Sequence, residues 1–208
     1  MKRIHPTKPV ELWLVLFALW LTALLSMSAK ADDFGGSPTM VKRVEAAVLH
    51  VLTEGVPEHD IGPCPNHKLI RKPLERRELS KAIVFAAAEH HLDPFLLVAI
   101  SFREGSWRRG RKGDRRKGDL GEVSIFQIMP TTLKYAVGFD DRCTIENHRG
   151  SALCAAALLA HWTRKCKSVQ GSVAMYAGGR SCRKDTKHMA WLVNDRMNLA
   201  KRLREVGE

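Results

Sequence analysis

One glutamate, Glu104, has the residue type and the position needed for acid–base chemistry. It follows an apolar run at residues 95–100, and a helix built on that run would carry its carboxyl group to the edge of the core. Partial burial disfavours the charged form of a carboxyl group and raises its pKa. A carboxylic acid that keeps its proton near neutral pH can serve as a general acid, as glycosidic bond cleavage requires. Taken alone, however, a glutamate near a helix end is more often a solvated surface charge.

Three short motifs follow one another along the chain, and the first contains this glutamate. They are, in chain order, Glu104 with Gly105 and Trp107; a glycine-containing stretch that starts at Gly121 and ends in Gln127-Ile128-Met129-Pro130; and Tyr176 with the small residues Ala177, Gly178 and Gly179. Their order and spacing resemble the lytic transglycosylase domain of the lysozyme superfamily, of the soluble lytic transglycosylase type. The resemblance covers residues 79–180, about half of the chain.

The resemblance implies a fold, an activity and a set of site residues. The fold would be all-α, a compact helical domain with a cleft, in which the small β element of this α+β superfamily is reduced to a glycine-rich stretch at residues 113–123. Glu104 would be the catalytic acid and base in the cleavage of the bond between N-acetylmuramic acid and N-acetylglucosamine, with a 1,6-anhydro product. The substrate-binding residues would be Gln127, Tyr176, Ser106 and Ser124, with the Tyr176 hydroxyl held near Glu104 to orient it.

Two positions depart from the pattern of that family. Ser124 stands where the family usually has a glycine, and Ala177 stands where it usually has an asparagine. A serine can keep a tight turn only at a conformational cost, because glycine tolerates positive φ far better. The loss of an asparagine removes a donor and an acceptor that could contact sugar. A catalytically impaired peptidoglycan-binding protein is therefore an alternative to an active enzyme.

The second alternative is a hydrolytic muramidase of the lysozyme type. Hydrolytic glycosidases normally use two carboxyl groups, one as acid and one as nucleophile or base. The nearby candidates for the second group are Asp114, Asp119 and Glu122, and the first two lie in a basic segment punctuated by glycines. Placement of a second carboxylate is difficult there, so we rank transglycosylation first. Neither reaction calls for a cofactor, and we predict none.

The elements that must position these residues are predicted to be helices. Apolar residues recur at spacings of three and four, whereas strict alternation of polar and β-branched residues is missing. Proline and glycine mark the boundaries, and we predict helices at 39–52, 74–91, 94–104, 130–137, 151–167, 171–177 and 186–206. The fifth is hydrophobic around most of its circumference and should be central. The inner face of the last should carry Met189, Leu192, Val193, Met197, Ala200 and Leu203.

The first 31 residues are predicted to be a secretory signal peptide cleaved after Ala31. Basic residues precede an apolar stretch, and Ala29-Lys30-Ala31 supplies small residues at the spacing of a cleavage site. The competing interpretation is an uncleaved membrane anchor at residues 13–29. Cleavage would deliver the protein to the periplasm or the extracellular space. We divide the remainder into an N-terminal helix with a proline-rich loop at 32–73 and the lysozyme-like domain at 74–208.

All five cysteines lie beyond the predicted leader, as expected of a chain that enters an oxidising compartment. We predict disulfides between Cys143 and Cys154 and between Cys166 and Cys182, because each would join a loop to a neighbouring helix. Cys64 would then be free, although the sequence does not exclude other pairings. The histidines near Cys64, in a proline-rich loop, lack the spacing of a zinc site, so we predict no metal.

The chain is strongly basic, with a formal charge of +12. The predicted leader contributes four basic residues and one acidic residue, so the exported part keeps a charge of +9. Seven of the ten residues at 108–117 are basic, which predicts a solvated loop or a basic rim that attracts the carboxylates of peptidoglycan strands. Polyanion binding would make weak contact with nucleic acid possible, but the segment has no interleaved aromatics for base stacking. We expect a monomer that binds glycan strands and no specific nucleic acid. A compact enzyme of this kind fits three biological settings: wall turnover, the opening of a gap for a secretion or conjugation apparatus, and a phage-derived lysin.

Overall fold

The computed structural model describes residues 37–54, 72–105, 124–183 and 186–206. Contacts between Cα atoms divide the chain into the units Met1–Phe34 and Gly35–Glu208, and all of the described residues belong to the second. The predicted leader, the predicted β element at 113–123, the basic segment 108–117 and Cys64 lie outside the described residues.

The described residues form seven α-helices and no strand, which confirms the prediction of an all-α fold. Each helix boundary lies within three residues of the predicted one. The helices are α1 (Pro38–Thr53), α2 (Pro73–Glu89), α3 (Pro94–Gly105), α4 (Pro130–Phe139), α5 (His148–Cys166), α6 (Val169–Tyr176) and α7 (Lys187–Val206). Within the described ranges, none of these helices combines the length and the apolar character needed to cross a membrane.

The helix starts follow local chemistry. A proline occupies the first position of α1, α2, α3 and α4, where the missing N–H group would have no partner in any case. Two later helices begin with side-chain caps: Asn147 accepts a hydrogen bond from the Gly150 N–H at 2.8 Å, and Ser168 accepts one from the Gly171 N–H at 3.0 Å. The cap at Asn147 lets α5 begin three residues earlier than predicted.

Helix α5 is central, as its hydrophobic circumference predicts. All residues from Gly150 to Ala160 are buried, and the helix packs against α2, α4 and α6 and touches α3. Helix α1 packs against α2, α3 and α7, with Val44, Val48 and Val51 fully buried. Helix α3 in turn packs along α7, and this seam carries the glutamate singled out above.

Both predicted disulfides are present. Cys143 is bonded to Cys154, which fastens the loop after α4 to the first turns of α5. Cys166 is bonded to Cys182, which fastens the end of α5 to the segment that follows α6. Disulfides of this kind form and persist in oxidising compartments, so the pairs fit an exported protein.

The predicted residues of the inner face of α7 do face the core, but the prediction is incomplete. Of the six, Val193, Ala200 and Leu203 are buried, and Met189, Leu192 and Met197 are partly buried. Two charged residues, Asp195 and Arg196, are buried as well, at 4% and 5% exposure. They face α3, where partners of opposite charge receive them.

Candidate functional site

Glu104 lies in the last turn of α3, where this helix leaves the core. Residues 95–100 are at most 3% exposed, whereas the Glu104 side chain is 19% exposed. The carboxyl group therefore sits between the core and solvent, where the apolar run predicts it.

The carboxyl group of Glu104 is held by Arg196 of α7. Both Nε and Nη2 of the guanidinium donate to the same carboxyl oxygen, Oε1, at 3.2 and 2.5 Å. The remaining arm is fixed as well, because Nη1 donates to the Leu192 carbonyl at 2.9 Å. Among the described residues, no group donates to the other carboxyl oxygen, Oε2. Arginine presents its N–H groups in a rigid fork, so this contact fixes the orientation of the carboxyl group as well as its position.

A second ion pair lies directly beside the first. Arg103, the neighbour of Glu104, donates from Nη2 to Asp195 Oδ1 at 2.5 Å, and both side chains are nearly buried. Two cations and two anions thus face each other across the seam between α3 and α7 in an arrangement with no net charge. Such an arrangement satisfies buried charges that would be costly if left unpaired.

The second sequence motif, residues 121–130, is called the glutamine motif below, and its residues 124–127 form a tight turn with unusual backbone angles. Ser124 has φ of 69° and Gln127 has φ of 48°, so both adopt the left-handed conformation. The turn is closed by the Gln127 N–H and the Gln127 side-chain amide, which donate to the Ser124 carbonyl at 3.2 and 2.6 Å. The buried Ser124 hydroxyl accepts from the Phe126 N–H at 3.1 Å. The predicted conformational cost at Ser124 is therefore present, and its side chain supplies a hydrogen bond that glycine could not.

Tyr176, at the end of α6, connects the third motif, residues 176–179, to the glutamine motif. Its hydroxyl donates to the Phe126 carbonyl at 2.9 Å, so its hydrogen bond goes to the turn and not to Glu104, the residue it was expected to orient. Burial raises the pKa of the Tyr176 hydroxyl well above its ordinary value, and the negative charge of Glu104 raises it further. The hydroxyl therefore stays protonated and keeps donating, within the electrostatic reach of Glu104.

A cleft of about 280 Å³ lies between the turn, α4, α5 and the end of α6. Its lining residues are Gln127, Ile128, Met129, Thr132, Leu158, Trp162, Met175, Tyr176, Gly178 and Gly179. Of the predicted site residues, Gln127 and Tyr176 thus share one cavity, whereas Glu104 and Ser124 are not among its lining residues. Ser124 accepts a hydrogen bond from the Gln127 side chain through its carbonyl and so helps to position it. Mostly apolar walls with a few polar groups are typical of small-ligand sites.

Two residues of this region escaped the sequence analysis. Trp162 lines the cleft from α5, with Lys165 over its ring at 4.9 Å from the centroid. Arg196 fixes Glu104. The available signal was that Arg196 occupies a position on the apolar stripe of α7, three residues after Val193 and four before Ala200. A charged residue on such a stripe indicates a buried partner, although not which one.

Several other predicted positions lie outside the described residues or outside the cleft. Ser106 lies outside the described residues, as do Trp107 and the candidate second carboxylates Asp114, Asp119 and Glu122. Ala177, the other departure from the motif, follows α6 as its C-cap and is partly exposed. In the ranges that the structure describes, no group of three or more His, Cys, Asp or Glu residues could hold a metal ion.

Comparison with known protein families, with curated proteins and with solved structures finds no match for this chain.

Proposed function

We propose that this chain is a peptidoglycan lytic transglycosylase in which Glu104 is the general acid and base. The observation that carries the proposal is that two motifs far apart in sequence line one cleft, and that the charge of the glutamate in the first motif acts on Tyr176. The Tyr176 hydroxyl donates to the Phe126 carbonyl within the glutamine motif, and the charge of Glu104 acts on Tyr176. The amide of Gln127 and the phenol of Tyr176 line one cleft, and the carboxyl group of Glu104 would act on a sugar chain that extends from it.

The proposed reaction has two steps. In the first, Glu104 gives its proton to the glycosidic oxygen, the bond from C1 of N-acetylmuramic acid to this oxygen breaks, and the N-acetyl oxygen bonds to C1. In the second, the C6 hydroxyl oxygen of the same sugar attacks C1, the bond from the N-acetyl oxygen to C1 breaks, and Glu104 takes the hydroxyl proton. The acid is restored and no water is consumed, so one carboxyl group is sufficient. A hydrolytic glycosidase normally needs a second one.

The cleft suits a sugar chain for additional reasons. Trp162 offers a flat apolar ring in the wall, and aromatic rings have a large apolar surface with which the C–H face of a sugar can pack. Gln127 is an amide at the same wall and can exchange hydrogen bonds with hydroxyl or N-acetyl groups. The substrate would be peptidoglycan strands in the periplasm or the extracellular space, which the two disulfides fit.

The test is the mass of the fragments that the purified protein releases from peptidoglycan. Anhydromuropeptides, one water lighter than hydrolytic products, are expected. Glu104→Gln should lower the rate by at least about 10²-fold, since general acid catalysis contributes 10²–10⁴-fold, and should leave glycan binding unchanged. Glu78→Gln, which changes an exposed glutamate of α2 paired with Lys81, is the matched control and should be fully active.

Other outcomes point to the alternatives. Products with ordinary reducing ends would replace transglycosylation by a lysozyme-type hydrolysis. Glycan binding without any released fragment would favour the binding protein. An unimpaired Glu104→Gln variant would remove Glu104 from the mechanism.

A further inference from the structure

The contact between Glu104 and Arg196 is asymmetric. Both guanidinium nitrogens that reach the carboxyl group donate to Oε1, at 3.2 and 2.5 Å, and among the described residues nothing donates to Oε2. A guanidinium that bound the carboxyl group for charge neutralisation alone could use its fork to engage both oxygens. Within the described part of the chain, one oxygen is thus held by Arg196 and the other has no donor.

Arg196 is itself fixed before it holds Glu104. Its side chain is 6% exposed, and Nη1 donates to the Leu192 carbonyl one turn earlier in α7. The guanidinium therefore has little freedom to follow a moving carboxyl group. It acts as a rigid anchor on the opposite helix.

Stability alone gives little reason to bury these four charges. Replacing buried ion pairs by apolar residues of similar volume is often neutral or stabilising, because desolvation of the charges is costly. Val193, Ala200 and Leu203 occupy the same face of α7 and show that apolar side chains pack there. A role in placing a reactive group accounts for the charges better than a role in holding α3 against α7.

We propose that Arg196 is a positioning residue for Glu104, which holds Oε1 and leaves Oε2 as the oxygen that exchanges the proton with substrate. This inference rests on the proposed function. With the proton on Oε2, the other oxygen is a carbonyl oxygen and still accepts from Arg196. After the proton has left, Oε1 belongs to a carboxylate and accepts more strongly. The carboxyl group thus keeps one orientation through both steps.

The test compares kcat and KM for muropeptide release by three variants of the purified protein. Arg196→Met should lower kcat roughly 10²-fold, the loss that follows when a reacting group is misplaced by about 1 Å. KM should change little, because Arg196 is not among the residues that line the cleft. Arg196→Lys keeps the charge but loses the fork, so it should restore part of the lost kcat. Asp195→Asn is the control, since it weakens the neighbouring pair on the same seam and leaves the contact with Glu104 in place.

The outcomes separate this inference from the function on which it rests. Should the unchanged protein release no anhydromuropeptides, both fail. A folded Arg196→Met variant with unchanged kcat, or a rise in KM alone, overturns only the positioning role. A loss of kcat in Asp195→Asn as large as in Arg196→Met also overturns the positioning role, because both ion pairs would then serve only to hold α3 against α7. If Arg196→Met does not fold, Arg196→Lys decides: its kcat should fall while KM holds, and an unchanged kcat contradicts the role.

Discussion

Ser124 shows how a single side chain can offset the cost of its own backbone. Its φ of 69° is expensive for a residue with a Cβ atom, by roughly 1–2 kcal/mol. The buried hydroxyl, however, accepts from the Phe126 N–H, which would otherwise be a buried donor without a partner. Such an unsatisfied group costs about 1–3 kcal/mol. The hydroxyl of Ser124 therefore offsets part of the cost of the backbone conformation that this turn requires.

Substitutions at Ser124 should follow from these two opposing effects. Ser124→Gly relieves the backbone but loses the acceptor, so we expect a loss of about 1 kcal/mol in the free energy of unfolding. Ser124→Ala keeps the backbone cost and loses the acceptor as well, so the loss should be about 2 kcal/mol. Thermal unfolding should rank the protein above the glycine variant and the glycine variant above the alanine variant. A glycine variant more stable than the protein would mean that backbone cost dominates.

At the scale of residues, the sequence predicts which side chains could take part in chemistry better than it predicts which side chains contact each other. Gln127 and Tyr176 are predictable because short motifs mark them, and they do share one cavity. Arg196 is not predictable as the partner of Glu104, because 92 residues separate them and their meeting depends on how α3 packs along α7. Trp162 was missed because an aromatic residue on a buried helix is usually part of the core, and only the packing of α4 and α6 opens the space beside it.

At the scale of elements, the end of α6 depends on two consecutive glycines. Gly178 has φ of 88°, and the Gly179 N–H donates to the Ala174 carbonyl at 2.9 Å, which closes the helix in a manner typical of a glycine C-cap. A Cβ atom on Gly179 would lie 2.5 Å from that carbonyl oxygen. The backbone cannot relieve this close contact without moving Tyr176 and the wall of the cleft.

We therefore expect Gly179→Ala to lower the free energy of unfolding by about 2 kcal/mol, the range found for overpacked positions, and to slow glycan cleavage. Gly138→Ala in α4 is the matched control, because a Cβ atom there would meet nothing within 4 Å. Alanine is the better helix former, so this control should be neutral or slightly stabilising. Equal destabilisation in the two variants, measured by chemical denaturation, would show that the contact with Ala174 is not the cause.

Helix boundaries could be predicted closely because prolines and apolar periodicity mark them locally. The burial of two charged residues on α7 could not. Isolated charges usually face water, and only their partners on α3 make the burial of Asp195 and Arg196 tolerable. Periodicity thus predicts the apolar residues of an inner face, whereas a buried charge on that face depends on the helix opposite.

At the scale of the whole molecule, an ion network connects the end of α2 to the loop between α4 and α5. The nearly buried Asp140 carboxyl accepts from Arg142 through Nε and Nη2, each at 3.0 Å, and lies 3.0 Å from His90 Nε2. Arg142 also donates to Glu89 at 2.6 Å. Burial by itself would raise the pKa of the Asp140 carboxyl, but the hydrogen bonds and charge of Arg142, with His90, lower it below its ordinary value.

This lowered pKa makes the fold sensitive to acid. The folded state binds its proton at lower pH than the unfolded state, so the stabilisation is complete above the unfolded pKa and is lost as pH falls through the folded pKa. Asp140→Asn should lower the melting temperature at neutral pH and reduce the further fall between roughly pH 5 and pH 2. Asp141→Asn, at the exposed neighbouring position, should change neither. An unchanged acid profile in Asp140→Asn, followed by thermal melts across this range, would assign the sensitivity to other carboxyl groups.

The bond between Cys166 and Cys182 encloses α6 completely, because this helix begins after the first cysteine and ends before the second. Tyr176 and the glycines that complete the cleft wall therefore belong to a covalent ring. Thiols stay reduced in the cytosol, so the ring can close only in an oxidising compartment. A recombinant chain produced in a reducing cytoplasm would lack the bond between Cys166 and Cys182 that closes this ring. Production should therefore be directed to an oxidising compartment. If the chain is exported as we propose, the same dependence delays activity, since the wall of the cleft is completed only after export.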